Sequence, residues 1–409
     1  MKQNFYIKNF FGKKFSYESV SKKLFPKFHL IDKEIKKDFH KQNNFFNMFN
    51  KSFKLNFSNK DLKRFQKYKT VVVIGMGGSV LGSEAIYEFL KTKIKKKFFF
   101  LNNLDLETID NLKKKISADK SLFIIISKSG NTIETLSNTF FLKIISKNKK
   151  NIIIISEKKN NFLYSLSKSQ NFFFVQHKNF IGGRYSVLSE VGLVPAFLMG
   201  LKISNFKRSL KKYFLNKNFY LRESSSKLAY LILKKKINNL VLLNYSSKLE
   251  KFLYWCQQLI AESLGKKGKG FLPIVSNVPK DHHSLLQLYL DGPKDKIFYI
   301  FNLKEKSKER IKVKSFTSKF DFINNKNLSQ IKNAQKNSLK KVFKKKGIPF
   351  REITIEKANE ETLGELFSYF MLETIMIGTI SGVNPFDQNA VEQVKVLTQK
   401  ELSKRIYQK

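Results

Sequence analysis

Val71-Val72-Val73-Ile74-Gly75-Met76-Gly77-Gly78-Ser79-Val80-Leu81-Gly82 joins an unbroken apolar run to a glycine-rich turn. Four consecutive β-branched residues without alternation read as a strand buried on both faces, as in a parallel sheet. The glycines let backbone approach a ligand closely, and the helix expected after them offers unpaired N–H groups. That is anion chemistry, most often phosphate. No Gly-Lys-Ser/Thr closes the turn, so it is not a Walker A loop, and it is not a clean G-x-G-x-x-G dinucleotide loop either.

Working outward, similar runs recur at Phe98–Leu101, Leu122–Ile126, Ile152–Ile155 and Phe172–Val175. The spacers, such as Ser83–Thr92 and Thr132–Ser146, are long enough for crossover helices. This predicts one doubly wound α/β domain over residues 51–205. Leu240–Leu243, Phe271–Val275, Ile297–Phe301 and Ile353–Ile355 predict a second, over 206–385. Helices are expected at Lys248–Leu264, Thr362–Thr379 and Asn389–Gln408. Residues 1–50 show weak helical periodicity and read as a helical arm, and 386–409 as a closing helix. Lys304–Lys346 reads as an exposed helix pair or a long excursion.

Composition narrows the class. With 409 residues, 42% hydrophobic and 14% aromatic, the chain is not of the disordered type. The single Cys256 excludes an internal disulfide and suits a reducing compartment. The formal net charge is +46, but Arg supplies only seven of the 78 basic residues and Lys the other 71. Lys, Asn, Ile, Phe and Tyr all have A/T-rich codons, so compositional drift accounts for the charge. Nucleic-acid readers favour Arg, and no helix-turn-helix, zinc or RNA-binding aromatic motif is seen. No run approaches the roughly 20 apolar residues of a membrane helix. Met1–Lys14 lacks the apolar core and cleavage site of a signal peptide. A cytoplasmic protein without nucleic-acid or membrane partners is expected.

A second loop, Ser127-Lys128-Ser129-Gly130-Asn131-Thr132, follows the Leu122–Ile126 run. At the carboxyl edge of a doubly wound sheet, where ligands bind, Ser127, Ser129 and Thr132 can donate to phosphate and Lys128 can add charge. Further along, Gln258 and Glu262 stand four apart and share one helix face.

The two loops, in this order, resemble the sugar isomerase (SIS) family of phosphosugar-binding domains. Four further segments resemble the glucose-6-phosphate isomerase family within it: Asn179–Ser189 around Gly182-Gly183-Arg184, Gln257–Lys266 around Glu262, Asp281–Leu288 around His283, and Asn384–Lys395. The resemblance runs from about Lys69 to the C-terminus and is nearest the compact bacterial type. It implies two tandem SIS-type doubly wound parallel-sheet domains with helical N- and C-terminal arms. It also implies interconversion of glucose 6-phosphate and fructose 6-phosphate through a cis-enediol.

Roles follow from the same resemblance. Glu262 would be the base moving a proton between C1 and C2, Arg184 would stabilise the enediolate, and His283 and Lys395 would assist ring opening. Gly78, Ser79, Ser127, Lys128, Ser129 and Thr132 would hold the phosphate, and Gln258 and Gln388 would contact sugar or phosphate. His282 stands where the family has glutamine, Asn131 where it often has threonine, and Ala390 where it often has glycine. The His282–His283 pair offers no metal site, because adjacent side chains point apart. No metal or redox cofactor is required, since side chains suffice for the proton transfers. The family's unit is a homodimer in which the histidine serves the neighbouring subunit's site. A non-catalytic sugar-phosphate sensor would not need Glu262, Arg184, His283 and Lys395 together. A dual glucose/mannose enzyme fits the Phe386–Lys395 segment less well.

Overall fold

The computed structural model describes residues 4–12, 17–50, 52–146, 149–208, 219–235, 237–305, 307–313 and 318–404. Ten strands form two five-stranded sheets. They are β1 Phe5–Phe10, β2 Thr70–Gly75, β3 Lys97–Leu101, β4 Ser121–Ile126, β5 Ile152–Ser156, β6 Phe173–Gln176, β7 Asn239–Asn244, β8 Leu272–Asn277, β9 Lys296–Leu303 and β10 Phe350–Ile355. The first sheet has the order β3-β2-β4-β5-β6 and is wholly parallel. The second has the order β1-β10-β9-β7-β8, parallel except for β1.

The continuous apolar runs have the physical cause expected of them. Val71 and Val73 pack with Leu122 and Ile124 on one face of the first sheet, while Val72 and Ile74 pack with Phe123 and Ile125 on the other. Both faces are covered, so alternation would leave polar groups buried. Leu240 and Leu242 face one side of the second sheet, and Val241 and Leu243 the other, beside Phe298 and Ile300. One core spans both domains through the helices Leu81–Leu90, Glu250–Leu264 and Glu360–Ile380.

Each of the nine expected strands overlaps an observed one. The tenth corrects the reading of the N-terminal arm as helical. Phe5 and Ile7 are buried while Tyr6 and Lys8 are exposed, and this short alternation pairs antiparallel with β10 from Phe5↔Ile355 to Phe10↔Phe350. An edge strand needs only one partner, so its sequence signal is weak. The arm is helical beyond it, over Tyr17–Asp38, and ends in a 3-10 turn, Phe45–Phe49. Residues 1–3 and 13–16 lie outside the described residues.

Helix Glu360–Ile380, expected over Thr362–Thr379, is buried nearly all round. It is the one described helix long and apolar enough to cross a membrane, and 94% of that stretch lies inside the protein. Arg351 of β10 donates to both Glu373 carboxylate oxygens, at 2.8 and 2.9 Å, tying sheet to helix. Within Lys304–Lys346 the structure shows a 3-10 turn, Asp321–Ile323, and one helix, Leu328–Lys345. Residues 306 and 314–317 lie outside the described set. The C-terminal helix spans Glu392–Lys404 after a 3-10 turn at Asn389–Val391. The expected continuation to Gln408 falls on residues that are not described.

Candidate active site

Strand order reverses at β2, which has β3 on one side and β4 on the other. Loops leaving the carboxyl ends of such a pair diverge and open a crevice. Both sequence-predicted phosphate loops start there. After β2 the chain makes a 3-10 turn, Gly77–Ser79, and enters helix Leu81–Leu90. After β4, the hydroxyls of Ser127, Ser129 and Thr132 converge, with Ser127 Oγ 2.8 Å from Thr132 Oγ1 and Ser129 Oγ 3.4 Å from each of the other two. Three hydroxyls so close, on a strand edge beside a helix start, make a cradle of rotatable donors for an oxyanion.

The glycines of the first loop are needed for contact with the rest of the site. A Cβ on Gly78 would lie 2.3 Å from the Gly183 carbonyl carbon and 2.6 Å from the Arg184 nitrogen. Gly77 has φ +51°, and a Cβ there would lie 2.7 Å from Gln258 Nε2. The β2 loop therefore touches both the Arg184 turn and the helix Glu250–Leu264.

Arg184 is 3% exposed and organises the centre. Its Nε donates to Ser263 Oγ at 2.8 Å, and its Nη1 to Gln388 Oε1 at 2.8 Å and Glu262 Oε2 at 3.3 Å. Its Nη2 donates to the carbonyls of Pro385 at 2.5 Å and Asp387 at 2.9 Å. The other Glu262 oxygen accepts from Gln258 Nε2 at 2.8 Å, one helical turn away. The carboxylate is thus fixed from both sides yet remains partly open to solvent. Tyr185 OH donates to Pro385 O at 2.9 Å and sits 2.8 Å from Ser263 Oγ; burial raises its pKa.

The structure brings together Gly78, Ser79, Arg184, Gln258, Glu262 and Gln388, with the Ser127–Thr132 cradle on the adjacent strand. Lys128 is differently engaged. Its ammonium donates to Asn179 O at 2.9 Å and lies 3.6 Å from Glu157, and burial lowers its pKa. His283 is exposed on the 3-10 turn Lys280–His283, while His282 lies 3.3 Å from Tyr245 OH. Lys395 is exposed on the C-terminal helix and pairs with Glu392 at 2.6 Å. Among the described residues, no hydrogen bond or ion pair links His283 or Lys395 to the Arg184–Glu262 centre, and no three His, Cys, Asp or Glu side chains gather as metal ligands.

Sequence reading passed over the layer behind the centre. Ser263 and Lys266 stood in a quoted segment without a role, and Tyr185 adjoined Arg184. The 3-10 turn Phe45–Phe49 carried no motif, yet Phe45 packs edge-on against Tyr185 and Phe386 at 5.1 and 5.4 Å. The N-terminal arm thus walls the site.

Two five-stranded sheets, parallel except for β1 and flanked by helices, give the chain the tandem SIS-type doubly wound construction. Solved structures share the fold: a hypothetical protein of Thermus thermophilus (TM-score 0.80, 23% identity, 97% of this chain and 100% of that one) and a glucose-6-phosphate isomerase of Chlamydia trachomatis (TM-score 0.70, 20% identity, 85% and 72%). The sequence profile of phosphoglucose isomerase matches residues 51–271. Glucose-6-phosphate isomerase of Methanocaldococcus jannaschii is 32% identical over 81% of this chain and 84% of its own. That of Campylobacter jejuni is 32% identical over 80% and 84%. The chain belongs to the phosphoglucose isomerase family.

Proposed function

We propose that the Arg184–Glu262 centre moves the proton in an enzyme that interconverts glucose 6-phosphate and fructose 6-phosphate. The observation carrying this reading is the Glu262 carboxylate, held by Gln258 and Arg184 on a helix that touches the phosphate loop at Gly77. The phosphate would sit among Ser127, Ser129, Thr132 and the 3-10 turn at Ser79, placing the sugar toward Glu262. Glu262 then takes the C2 proton of the open-chain aldose. The C2–H electron pair forms the C1=C2 bond, and the C1 oxygen becomes an enediol hydroxyl by gaining a proton. Returning the proton to C1 while the C2 hydroxyl loses its own leaves the ketose. Of the Arg184 contacts, that to Glu262 is the longest, so this edge of the guanidinium can turn to the enediolate oxygen. Gln388 would contact the sugar beside it.

Ring opening belongs to His283 and Lys395 in this proposal, and it requires a homodimer in which His283 serves the partner's site. The exposure of His283 supports this. So does the C-terminal helix, whose Val394, Leu397 and Leu402 are all exposed within one chain. The same reading places the enzyme in the cytoplasm, in keeping with its single, buried thiol.

The decisive experiment is Glu262→Gln, assayed by coupling glucose 6-phosphate formation to its dehydrogenation. A positioned base contributes about 10²–10⁴-fold, and a loss of that size with unchanged circular dichroism is expected. Full activity in the folded variant would remove Glu262 as the base. Mixing Glu262→Gln with His283→Ala subunits should restore part of the activity if sites are shared, and none if each subunit is self-contained.

A further inference from the structure

Lys266 follows the helix that carries Gln258 and Glu262, one residue beyond its Gly265 cap. Its ammonium donates to the carbonyls of Asn384 and, at 2.7 Å, Asp387, and lies 2.6 Å from the Asp387 carboxylate. The Lys266 side chain is 15% exposed, while the Asp387 carboxylate it meets is 38% exposed, so the carbonyl of Asp387 is the better shielded of its acceptors. Lys266 and Lys269 close a tight turn by a β-bridge, and Lys269 Nζ donates to Ser381 O at 2.8 Å. Two lysines of one turn therefore grip the chain as it leaves helix Glu360–Ile380. From the other side Arg184 takes the carbonyls of Pro385 and Asp387 and the amide of Gln388. The carbonyl of Asp387 is held by both cations.

This segment, Ser381–Gln388, is irregular, and its carbonyls depend on outside donors. Charged donors make the stronger bonds. It is also the sole covalent lead to helix Glu392–Lys404, which buries no residue of its own. Within one chain, the direction in which Lys395 is presented is thus set by what holds Ser381–Gln388.

We propose that Lys266 is a positioning residue: it straps Asn384–Gln388 to the end of the Glu262 helix, so that Gln388 and the helix beyond it stay in register with the base. The inference rests on the proton-transfer reading of Glu262 and deepens it. Lys266 need touch no substrate. It acts through the Asp387 carbonyl and carboxylate, and through the same backbone that Arg184 holds. Substrate anchoring, which lies with the Ser127–Thr132 cradle, should be nearly independent of it.

The test is Lys266→Met, which keeps the apolar stem and removes the donors, beside Lys266→Arg, which restores them on a different head. Kinetics give kcat and KM separately, competition by inorganic phosphate reports the cradle, and hydrogen exchange is read on peptides covering 382–404. Losing these charged donors should lower kcat of Lys266→Met about 10- to 100-fold while KM and phosphate inhibition change less than about threefold. Exchange should quicken in 382–404 and not in Glu250–Leu264, and Lys266→Arg should recover most of kcat. Near-normal kcat in Lys266→Met overturns the proposal, as does lowered kcat with unaltered exchange or without rescue by arginine. If Lys266→Met does not fold, Lys266→Leu, which also lacks donors, is read by the same criteria. An active Glu262→Gln would sink the proton-transfer reading instead; an inactive Glu262→Gln beside a fully active Lys266→Met would sink the strap alone.

Discussion

Arg184→Lys keeps the charge and removes the fork. Arg184 donates to five acceptors in three directions: Ser263 Oγ, Glu262 Oε2, Gln388 Oε1 and the carbonyls of Pro385 and Asp387. An ammonium has three N–H groups radiating from one atom, so at least two acceptors lose their donor. The side chain is almost wholly buried, which leaves water little access to replace them. Hydrogen bonds to charged groups contribute about 1.5–3 kcal/mol each, so about 3–6 kcal/mol is removed. If most of it orients Glu262 and Gln388 for the transition state, kcat falls about 10²–10⁴-fold. The coupled assay in the fructose-to-glucose direction reads kcat, and urea midpoints read the part lost from stability. A variant with kcat within about threefold of the parent and an unchanged midpoint would refute the argument that fork geometry matters here.

Two further outcomes are expected. Gly78→Ala must push the β2 loop away from Gly183 and Arg184, since its Cβ would lie 2.3 Å from a backbone carbon. A shift of this kind costs about 10²-fold in kcat, with circular dichroism little changed; wild-type turnover would show that the loops need not touch. His177 is 1% exposed, and burial holds its pKa down to about 4 from 6.5. Between those values the unfolded chain binds the extra proton, so stability falls as pH drops through that window, by about 3 kcal/mol in all. Urea midpoints near pH 7 and near pH 4.5 should converge for His177→Phe relative to the parent, and equal pH slopes for the two proteins would contradict the assignment.

Legibility in the sequence followed how local the physics was. Both-face burial forces continuous apolar runs, so Val71–Ile74 and Ile152–Ile155 announce a parallel sheet within four residues each. The glycine turn and the Ser127–Thr132 loop were equally local. β1 was not, because a six-residue edge strand owes its place to β10, some 345 residues away. The layer behind Arg184 was hidden for the same reason. Ser263, Pro385 and Asp387 acquire meaning only once the chain has folded them, from 79 to 203 positions away, onto one guanidinium. Lys128 adds a neighbourhood that its loop did not announce. Its position in the loop points to an anion contact, and the fold also brings its ammonium to Asn179 O and near Glu157, partners 51 and 29 residues away.

The two sheets repeat one module, and the proposed site takes a different part from each copy. β2 lies between β3 and β4 as β7 lies between β8 and β9, and each runs through a 3-10 turn into a long helix. In the first copy the turn is Gly77-Gly78-Ser79, whose glycines admit Gln258 and the Gly183–Arg184 backbone. In the second it is Ser247-Lys248-Leu249, preceded by Ser246, whose N–H goes to Asn244 Oδ1 and whose hydroxyl donates to Glu305. An anion at the second turn would meet a donor already engaged and a carboxylate already present. The carboxylate of Glu305 disfavours an anion at the second turn, and the helix after it carries Gln258 and Glu262. Helices Leu81–Leu90 and Glu250–Leu264 pack together, which sets Gln258 against Gly77 and Glu262 beyond it. A base on the first helix would face its own phosphate loop from the wrong end. Under the proposed reading, a base carried on the second helix lies across the β2 loop from the first, on the side where Gln258 meets Gly77.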